Sequence, residues 1–352
     1  ISCRYCIETY LSCKSRKTKS EKSVFGKCST GYNKAGMNFV FFDIECANCL
    51  NGEGKICSFG FVKTDEHFQV LKKKDILIDP DAPFLLGNAK RGDGIRLAYP
   101  LFRFRNSFTF PHYYKEIKTL LEDKNNICFG FSVRQDVAYL ISTCRRYSLP
   151  MINFSFFDIQ QFEKELYQRK NCSGLDSLVE QFHVQKYTYH RSDDDALMSE
   201  EVFASILKEK EIPLSELSSH YEECFFDTER MVNLLNERKI AKEKKRIYQE
   251  KVEKLFINEK VDYTGYDKYF YKRHFFFSNK VISENIDKLL EMKKQLSKTG
   301  IIFERNPKEA DAIVVLSKID YDGINPSRVE RMEERSLLFT TFLKHAKKSK
   351  KA

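Results

Sequence analysis

The chain has 352 residues, with 60 Lys and Arg against 50 Asp and Glu, and so a net charge of +10. This length suffices for two domains, and 42% apolar residues with 30 Phe can bury a core. These values exclude a wholly disordered chain, a collagen-like repeat and a disulfide-stapled miniprotein. No apolar run approaches the roughly 18 residues that span a bilayer, so we expect no transmembrane segment and no membrane partner.

The basic excess lies in the two flanks of the chain. Residues 1–36 have 8 basic and 2 acidic side chains, residues 37–200 have 21 and 22, and residues 201–352 have 31 and 26. A moderately basic protein favours a polyanionic partner such as nucleic acid, but this net charge is equally compatible with ordinary solubility. Charge alone therefore leaves the partner undecided.

Cysteine usage indicates a reducing compartment. The 11 cysteines are an odd number, and none follows Cys224. A secreted chain would pair its cysteines, and residues 1–30 have no apolar stretch of the roughly 7–15 residues that a secretory signal needs. We therefore predict a cytoplasmic protein.

Residues 1–36 are predicted to be a basic, cysteine-containing leader that is poorly ordered, because they have no sustained hydrophobic period. Cys3 and Cys6 have the C-x-x-C spacing that begins many zinc sites, and Cys13 and Cys28 could complete such a site. The second pair lacks that spacing, so free thiols are favoured over zinc.

Residues 37–208 alternate between strand-like and helix-like patterns. Strand-length runs rich in Phe, Val and Ile predict strands at 38–45, 56–63, 68–79, 126–131 and 153–158. Helical spacing predicts helices at 113–122, 135–147, 159–169, 174–184 and 193–208. Three strands followed by alternating strands and helices predict an α/β domain with a mixed sheet flanked by helices.

The rest of the chain is predicted to form a connector and a second, smaller domain. Residues 209–270 are densely charged, and no strand is predicted in 209–262, so this part is expected to be a solvated helical connector. A small α/β domain is predicted over 271–347, followed by a basic tail at 348–352. Strands are predicted at 274–278, 301–304 and 312–316, and helices at 286–297 and 335–347.

Acidic residues are placed at the ends of the predicted elements in the first domain. Asp43 and Glu45 are two apart at the end of the most hydrophobic strand, so both project to the same face of the sheet. Asp136 follows a second strand, and Asp195 lies in the first turn of a helix, five residues after His190. Each placement also has a structural explanation, since a strand end leads into a polar turn and acidic residues favour helix N-termini.

Taken together, these carboxylates predict a metal site. Four carboxylates at one sheet edge would raise one another's pKa values, so such a cluster persists mainly when cations neutralise it. Oxygen ligands select Mg²⁺ or Mn²⁺, and two ions about 4 Å apart can stabilise both the attacking and the leaving oxygen of a phosphodiester displacement. His190 could accept a proton from the attacking water.

Three motifs in this order resemble the DEDD 3′–5′ exonucleases related to the proofreading subunit of bacterial replicative polymerase. They are "FFDIECAN", "GFSVRQDVAYL" and "HRSDDDA", within residues 38–208. The resemblance implies a ribonuclease H-like fold. It also implies the histidine (DEDDh) subclass, because His190 and Asp195 have the H-x4-D spacing, whereas the other subclass has Tyr four residues before the Asp, where this chain has Arg191. It implies His190 as general base, Glu45 as both catalytic residue and metal ligand, and Asp43, Asp136 and Asp195 as further ligands of two Mg²⁺ or Mn²⁺ ions.

The chain departs from the family pattern where the 3′-terminal nucleotide would rest. Cys46 and Ala47 stand where a Thr pair is frequent, and Phe131 and Ser132 stand where His-Asn is common. None of these changes removes a metal ligand, and the four residues are predicted to contact the substrate. Cys46 and Cys49 could suggest zinc, but ordinary thiols are favoured because no second pair lies nearby in sequence.

The C-terminal part resembles a BRCT domain in its order of strands and helices. The resemblance lies in "FFFSNKVISENIDKLLEMKK", "GIIFERNPKEADAIVVLSK" and "RSLLFTTFLKHAKK", although the usual glycine pair is reduced to Gly300 and the usual core Trp is missing. It implies a unit that binds a DNA end, a protein partner or the exonuclease domain. A generic α/β adaptor is the alternative interpretation.

The leading hypothesis is a metal-dependent exonuclease that acts on single-stranded or frayed 3′ ends and releases nucleoside 5′-monophosphates. DNA is favoured as the substrate, with a role in replication or repair. One alternative is a non-catalytic repair adaptor that binds DNA ends. Another is a 3′–5′ exoribonuclease, since the contacts to the 2′-OH that would decide between DNA and RNA cannot be identified in one sequence.

Overall fold

The computed structural model describes residues 37–87, 96–257, 267–317 and 336–349. The chain divides into two compact units, one ending at Asn236 and the other beginning at Glu237. The predicted leader, with its four cysteines, lies outside the described residues, as does the end of the predicted basic tail.

A six-stranded mixed sheet forms the first unit. Its strands are β1 (Asn38–Cys46), β2 (Ile56–Thr64), β3 (Val70–Leu77), β4 (Asn126–Gly130), β5 (Ser155–Asp158) and β6 (Phe225–Asp227). Their spatial order is β3-β2-β1-β4-β5-β6, and β2 and β6 run antiparallel to the other four. The predicted mixed sheet is thus confirmed.

Helices flank this sheet. They are α1 (Leu101–Arg105), α2 (Phe110–Glu122), α3 (Arg134–Arg146), α4 (Ile159–Leu166), α5 (Leu175–Gln181), α6 (Ser192–Glu209), α7 (Leu217–His220) and the first residues of α8 (Thr228–Phe256), a helix that continues into the second unit. The short helix α1 was not predicted, because five residues span little more than one turn and show no helical period.

The prediction of no strand in 209–262 is wrong, because β6 lies there. Phe225 and Phe226 pair with β5 and are buried, one in each of the two apolar layers of the unit. A strand of three residues is too short to show alternation. Its apolar residues also directly follow the acidic Glu222 and Glu223, so this part of the sequence has no strand-length apolar run. Tertiary pairing rather than local pattern therefore makes this strand.

Alternation along β1 determines which helix faces its acidic end. Phe39 and Phe41 are buried in one layer with Phe203 of α6, whereas Val40 and Phe42 are buried in the opposite layer. Because side chains alternate along a strand, Asp43 and Glu45 continue the Phe39 and Phe41 series and share the face that α6 covers. The aromatic core therefore aligns β1 and α6 close to the acidic residues.

The N-terminus of α6 packs directly on the backbone of β2. A Cβ atom on Gly60 would lie 2.0 Å from the backbone N of Asp193 and 2.1 Å from the backbone C of Ser192. Real Cβ contacts are not that short, so only glycine permits this approach. The contact holds the first turn of α6 beside the acidic end of β1.

Replacing Gly60 by Ala should therefore destabilise the protein, since the added methyl group pushes α6 away from β2. We expect a loss of about 2 kcal/mol or more, seen as a drop of about 5 °C in melting temperature by circular dichroism. Gly174→Ala is the matched control, because the nearest atom to its added Cβ lies 4.0 Å away. Equal melting temperatures for the two variants would contradict the proposed contact.

A four-stranded parallel sheet forms the second unit, and the predicted second α/β domain is thereby confirmed as a fold class. Its strands are β7 (His274–Phe277), β8 (Ile302–Glu304), β9 (Ala312–Val315) and β10 (Ser336–Leu338), in the order β10-β9-β7-β8. The helices of this sheet region are α9 (Asn279–Leu296) and α10 (Phe339–Ser349).

Two predicted helix starts in this unit differ from the structure. Helix α9 begins at Asn279 rather than 286, but Asn285 has non-helical angles of φ −133° and ψ 20°, so the predicted helix is its second segment. The helix predicted from 335 begins at Phe339, because Ser336–Leu338 pairs with β9. Within the described ranges, no helix combines the length and the apolar character needed to cross a membrane.

Candidate acidic metal centre

The predicted carboxylates come from three elements that meet at one edge of the sheet. Asp43 and Glu45 lie at the end of β1. Asp136 lies in the first turn of α3, which follows β4, the parallel neighbour of β1. Asp195 lies in the first turn of α6. The charges of Asp136, Asp195 and Glu45 all act on Asp43, so the four carboxylates lie near one another. Of the four, Glu45 and Asp195 belong to the group of closely spaced ligand atoms around His190, and Asp43 and Asp136 do not.

The pKa values of these groups show how strongly they interact. Burial raises the pKa of Asp43 well above its usual value, and the charges of Asp136, Asp195 and Glu45 raise it further. Burial, followed by the charge of Glu45, likewise raises the pKa of Asp136 and brings that of Asp195 to about 8. The cluster thus favours bound protons or cations.

His190 lies against two of these carboxylates. Its Nδ1 is 3.0 Å from Oε1 of Glu45, and its backbone N–H donates to Oδ2 of Asp195 at 2.9 Å. Potential ligand atoms of Glu45, His190 and Asp195 all lie within 4.8 Å of one another. The hydrogen bond to Glu45 is the main cause that raises the pKa of His190 above its usual value. His190 also has a left-handed φ of 59°, a conformation that is uncommon for residues other than glycine.

Asp193 and Asp194, which precede Asp195, have different partners. Lys73 of β3 forms ion pairs with both, and Arg191 forms a second ion pair with Asp193. Asp194 also accepts a hydrogen bond from the backbone N–H of Thr188. The charges of these two carboxylates are therefore balanced locally, whereas Asp195 is directed to the acidic cluster.

A series of hydrogen-bonded polar side chains connects the start of α6 to the sheet. The Ser192 hydroxyl donates to Ser58 of β2 at 2.8 Å, and Ser58 donates to Asp75 of β3. Burial, followed by the charge of Asp75, raises the pKa of Tyr99 to about 12. These residues and Lys73 were not predicted from the sequence, because partners far apart along the chain leave no local pattern.

The structure shows the surroundings of the four predicted substrate-binding residues. Ala47 is fully buried, and its backbone bonds to Lys55 and Leu85. Phe131 is partly buried beside the apolar layer that contains Phe41, and Ser132 has a left-handed φ of 58° just before α3. Substrate contact by these residues stays a prediction.

Cys46, the fourth predicted substrate-binding residue, lies beside a second thiol. It hydrogen-bonds to Cys49, whose Sγ lies 3.1 Å from the Tyr139 hydroxyl. The hydrogen bond from Cys46 lowers the pKa of Cys49 to about 7. Both thiols are free in the structure, and neither belongs to the group of potential ligand atoms around His190.

Similarity to known proteins was found among solved structures and concerns the backbone fold. No protein-family model and no curated protein sequence matches the chain. A 3′-exonuclease in a structure of "3'-end specific recognition of histone mRNA stem-loop" is 14% identical, with a TM-score of 0.42, covering 51% of this chain and 84% of its own. The zinc-bound E. coli exonuclease I–ssDNA complex is also 14% identical, with a TM-score of 0.42, covering 52% and 43%.

The S. pombe protein Pop2p, in its Mg²⁺- and Mn²⁺-bound form, is 16% identical, with a TM-score of 0.37, covering 52% of this chain and 83% of its own. This chain spans less than half the length of exonuclease I. These matches have low identities and TM-scores and cover about half of the chain. The chemistry therefore has to be argued from the residues of the site itself.

The donor set fits a hard divalent cation. Carboxylate oxygens are the ligands that Mg²⁺ and Mn²⁺ prefer, and Asp43, Glu45, Asp136 and Asp195 supply only such oxygens. The raised pKa values of Asp43, Asp136 and Asp195 indicate that their negative charges lack sufficient compensation within the described chain. A bound cation would provide that compensation.

Addition of Mg²⁺ or Mn²⁺ should therefore stabilise the protein. We expect a gain of about 2–3 kcal/mol at roughly 100 times the dissociation constant, observed as a higher melting temperature. Asp43→Asn should lose most of this gain, because it removes one ligand charge. Glu116→Gln is the control, since Glu116 forms an ion pair with Lys74 on the surface. A cation response that survives Asp43→Asn unchanged would be evidence against the site.

The cost of ionising Asp195 should be visible in the pH dependence of stability without divalent cations. Its folded-state pKa of about 8 exceeds the usual 3.8, so the folded protein binds more protons than the unfolded one between these values. Stability therefore falls as the pH rises through that window. Asp195→Asn should melt at a higher temperature than the wild type, by more at pH 8 than at pH 5. The same difference at both pH values would contradict this assignment, and saturating Mg²⁺ should abolish the advantage.

Proposed function

We propose that this protein is a metal-dependent 3′–5′ exonuclease that hydrolyses phosphodiester bonds at nucleic-acid ends and releases nucleoside 5′-monophosphates. One observation carries the proposal. The carboxylates of Asp43, Glu45, Asp136 and Asp195 come from three elements to one sheet edge, beside His190. A structural role does not require such a concentration of like charge, because it raises the pKa values of its own members.

In this proposal, Asp43, Glu45, Asp136 and Asp195 hold two Mg²⁺ or Mn²⁺ ions. When bound, such ions stabilise the attacking and leaving oxygens of a phosphodiester displacement. The carboxylates orient the ions, and the buried sheet edge limits the water around them. Glu45 is central, because it also hydrogen-bonds to His190.

His190 is proposed as the general base. Its side chain is 32% exposed, so a water molecule at the site can reach it. The hydrogen bond between Nδ1 and Glu45 orients the ring, which leaves Nε2 as the atom to accept the proton. The backbone bond from His190 to Asp195 holds the same residue close to a proposed metal ligand.

The proposed substrate is a single-stranded or frayed 3′ end, with DNA favoured over RNA and a role in replication or repair. Cys46, Ala47, Phe131 and Ser132 would lie around the terminal nucleotide. The second unit is proposed to bind a protein partner or a DNA end, as a BRCT-like domain would. The strand order β8-β7-β9-β10, with all strands parallel, supports this part of the proposal.

The test is digestion of oligonucleotides by the full chain with Mg²⁺ or Mn²⁺. A strand labelled at its 3′ end should release labelled mononucleotide at once, whereas a 5′-labelled strand should shorten progressively. Asp43→Ala and Asp195→Ala should each reduce the rate at least about 100-fold, because even partners of metal ligands are worth 10–100-fold. Glu116→Gln should digest at the wild-type rate.

Two outcomes would contradict the proposal. Digestion that Asp43→Ala and Asp195→Ala leave undiminished would place the activity elsewhere. Salt-dependent binding of strand ends without turnover would favour the non-catalytic adaptor. Matched DNA and RNA strands in the same assay decide between a deoxyribonuclease and an exoribonuclease.

A further inference from the structure

Residues 96–108, a segment that includes α1, lie beside both parts of the acidic site. The backbone N–H of Ala98 donates to the carbonyl of His190 at 3.2 Å. Phe104 of α1 is buried in a small cluster with Ala47, two residues beyond Glu45. One short stretch of chain therefore adjoins both the carboxylate end of β1 and His190.

This segment exposes apolar and aromatic surface next to the site. Helix α1 buries Phe104 but leaves Leu101 45% exposed and Phe102 63% exposed. A solvated Phe next to a charged centre costs solvation free energy, and such surface is typical of places where a partner binds.

The same segment has a single sign of charge. Residues 96–108 contain Arg96, Arg103 and Arg105 and no acidic residue. Arg105 forms an ion pair with Asp79, which assigns it a structural role. Arg103 instead lies over the ring of Tyr99, with its Cζ 4.6 Å from the ring centroid.

Tyr99 holds this arrangement on the sheet. Its ring packs against the apolar cluster that contains Cys57 of β2. Its hydroxyl lies near Asp75 of β3, which Ser58 links to the start of α6. Arg191, the residue after His190, lies on the Tyr99 ring as well, 5.8 Å from the centroid. Two guanidinium groups and an aromatic ring are thus stacked at fixed positions beside the acidic cluster.

We propose that Phe102 and Arg103, the latter held over the Tyr99 ring, form a stacking surface for the unpaired bases of a single-stranded nucleic acid. Every base has a flat face that can stack on an aromatic ring or a guanidinium plane, and Arg also neutralises phosphate charge. The acidic cluster cannot hold a polyanion by attraction, so the neighbouring basic, aromatic surface supplies the affinity. The inference rests on the proposed function only in placing the 3′ end of that strand at the acidic site.

Strand binding without turnover tests the inference. The full chain, in EDTA, is titrated against fluorescent strands of about 12 nucleotides, one with bases and one with abasic sugars, and anisotropy is measured. The wild type should bind the strand with bases more tightly. Phe102→Ala should weaken that binding about fivefold or more and reduce the preference for bases. Arg103→Gln should weaken it too and reduce the salt dependence by about one phosphate contact.

Phe108→Ala is the matched control. Phe108 is also 63% exposed, but its ring stacks on His112 of α2, with 4.0 Å between the ring centroids. Its loss should leave strand binding unchanged. Because Phe102 is largely exposed, its substitution should leave the melting temperature close to that of the wild type, and Arg103→Gln provides an independent second variant.

Three results would overturn the inference: no preference of the wild type for the strand with bases, wild-type binding by Phe102→Ala and Arg103→Gln, or equal losses in Phe102→Ala and Phe108→Ala. Its failure is separable from that of the proposed function. Loss of binding in Phe102→Ala without any digestion by the wild type would keep the stacking surface and reject the exonuclease. Digestion by the wild type, together with wild-type binding by Phe102→Ala, would keep the exonuclease and reject the stacking surface.

Discussion

The first turn of α6 lies on the bare backbone of Gly60, and the position of the acidic site depends on this contact. With a Cβ only 2.0 Å from the backbone of Asp193, any other residue at position 60 would displace the helix. Asp195 and His190, which is hydrogen-bonded to it, would then move away from Glu45. The hydrogen bond between Ser192 and Ser58 fixes the same junction from a second direction.

Charge is distributed unequally around this junction. Lys73 and Arg191 balance Asp193 and Asp194, which would otherwise add two buried charges. Asp43, Asp136 and Asp195 keep raised pKa values, so the protein neutralises the supporting carboxylates and leaves those of the centre for a ligand. The net charge of +10 thus coexists with an acidic centre.

The sequence was informative where local pattern determines position. The D-x-E spacing places Asp43 and Glu45 on one face because side chains alternate along a strand, and Asp195 lies in the first helical turn as the pattern predicted. The pattern could not identify β6, which exists only because Phe225 and Phe226 pair with β5. Nor could it pair Lys73 with Asp194, which are 121 residues apart in sequence. The stacking of Arg103 on Tyr99 likewise depends on α1, a helix too short to predict.

In the proposed function, Asp43, Glu45, Asp136 and Asp195 act as one divalent-cation centre. Counting Mn²⁺ ions bound to the full chain by electron paramagnetic resonance tests this claim most directly. The account predicts about two ions per chain, as in other two-metal sites, with at least one of them lost in Asp136→Asn. A wild-type chain that binds no Mn²⁺, or an Asp136→Asn variant that binds as many ions as the wild type, would contradict it.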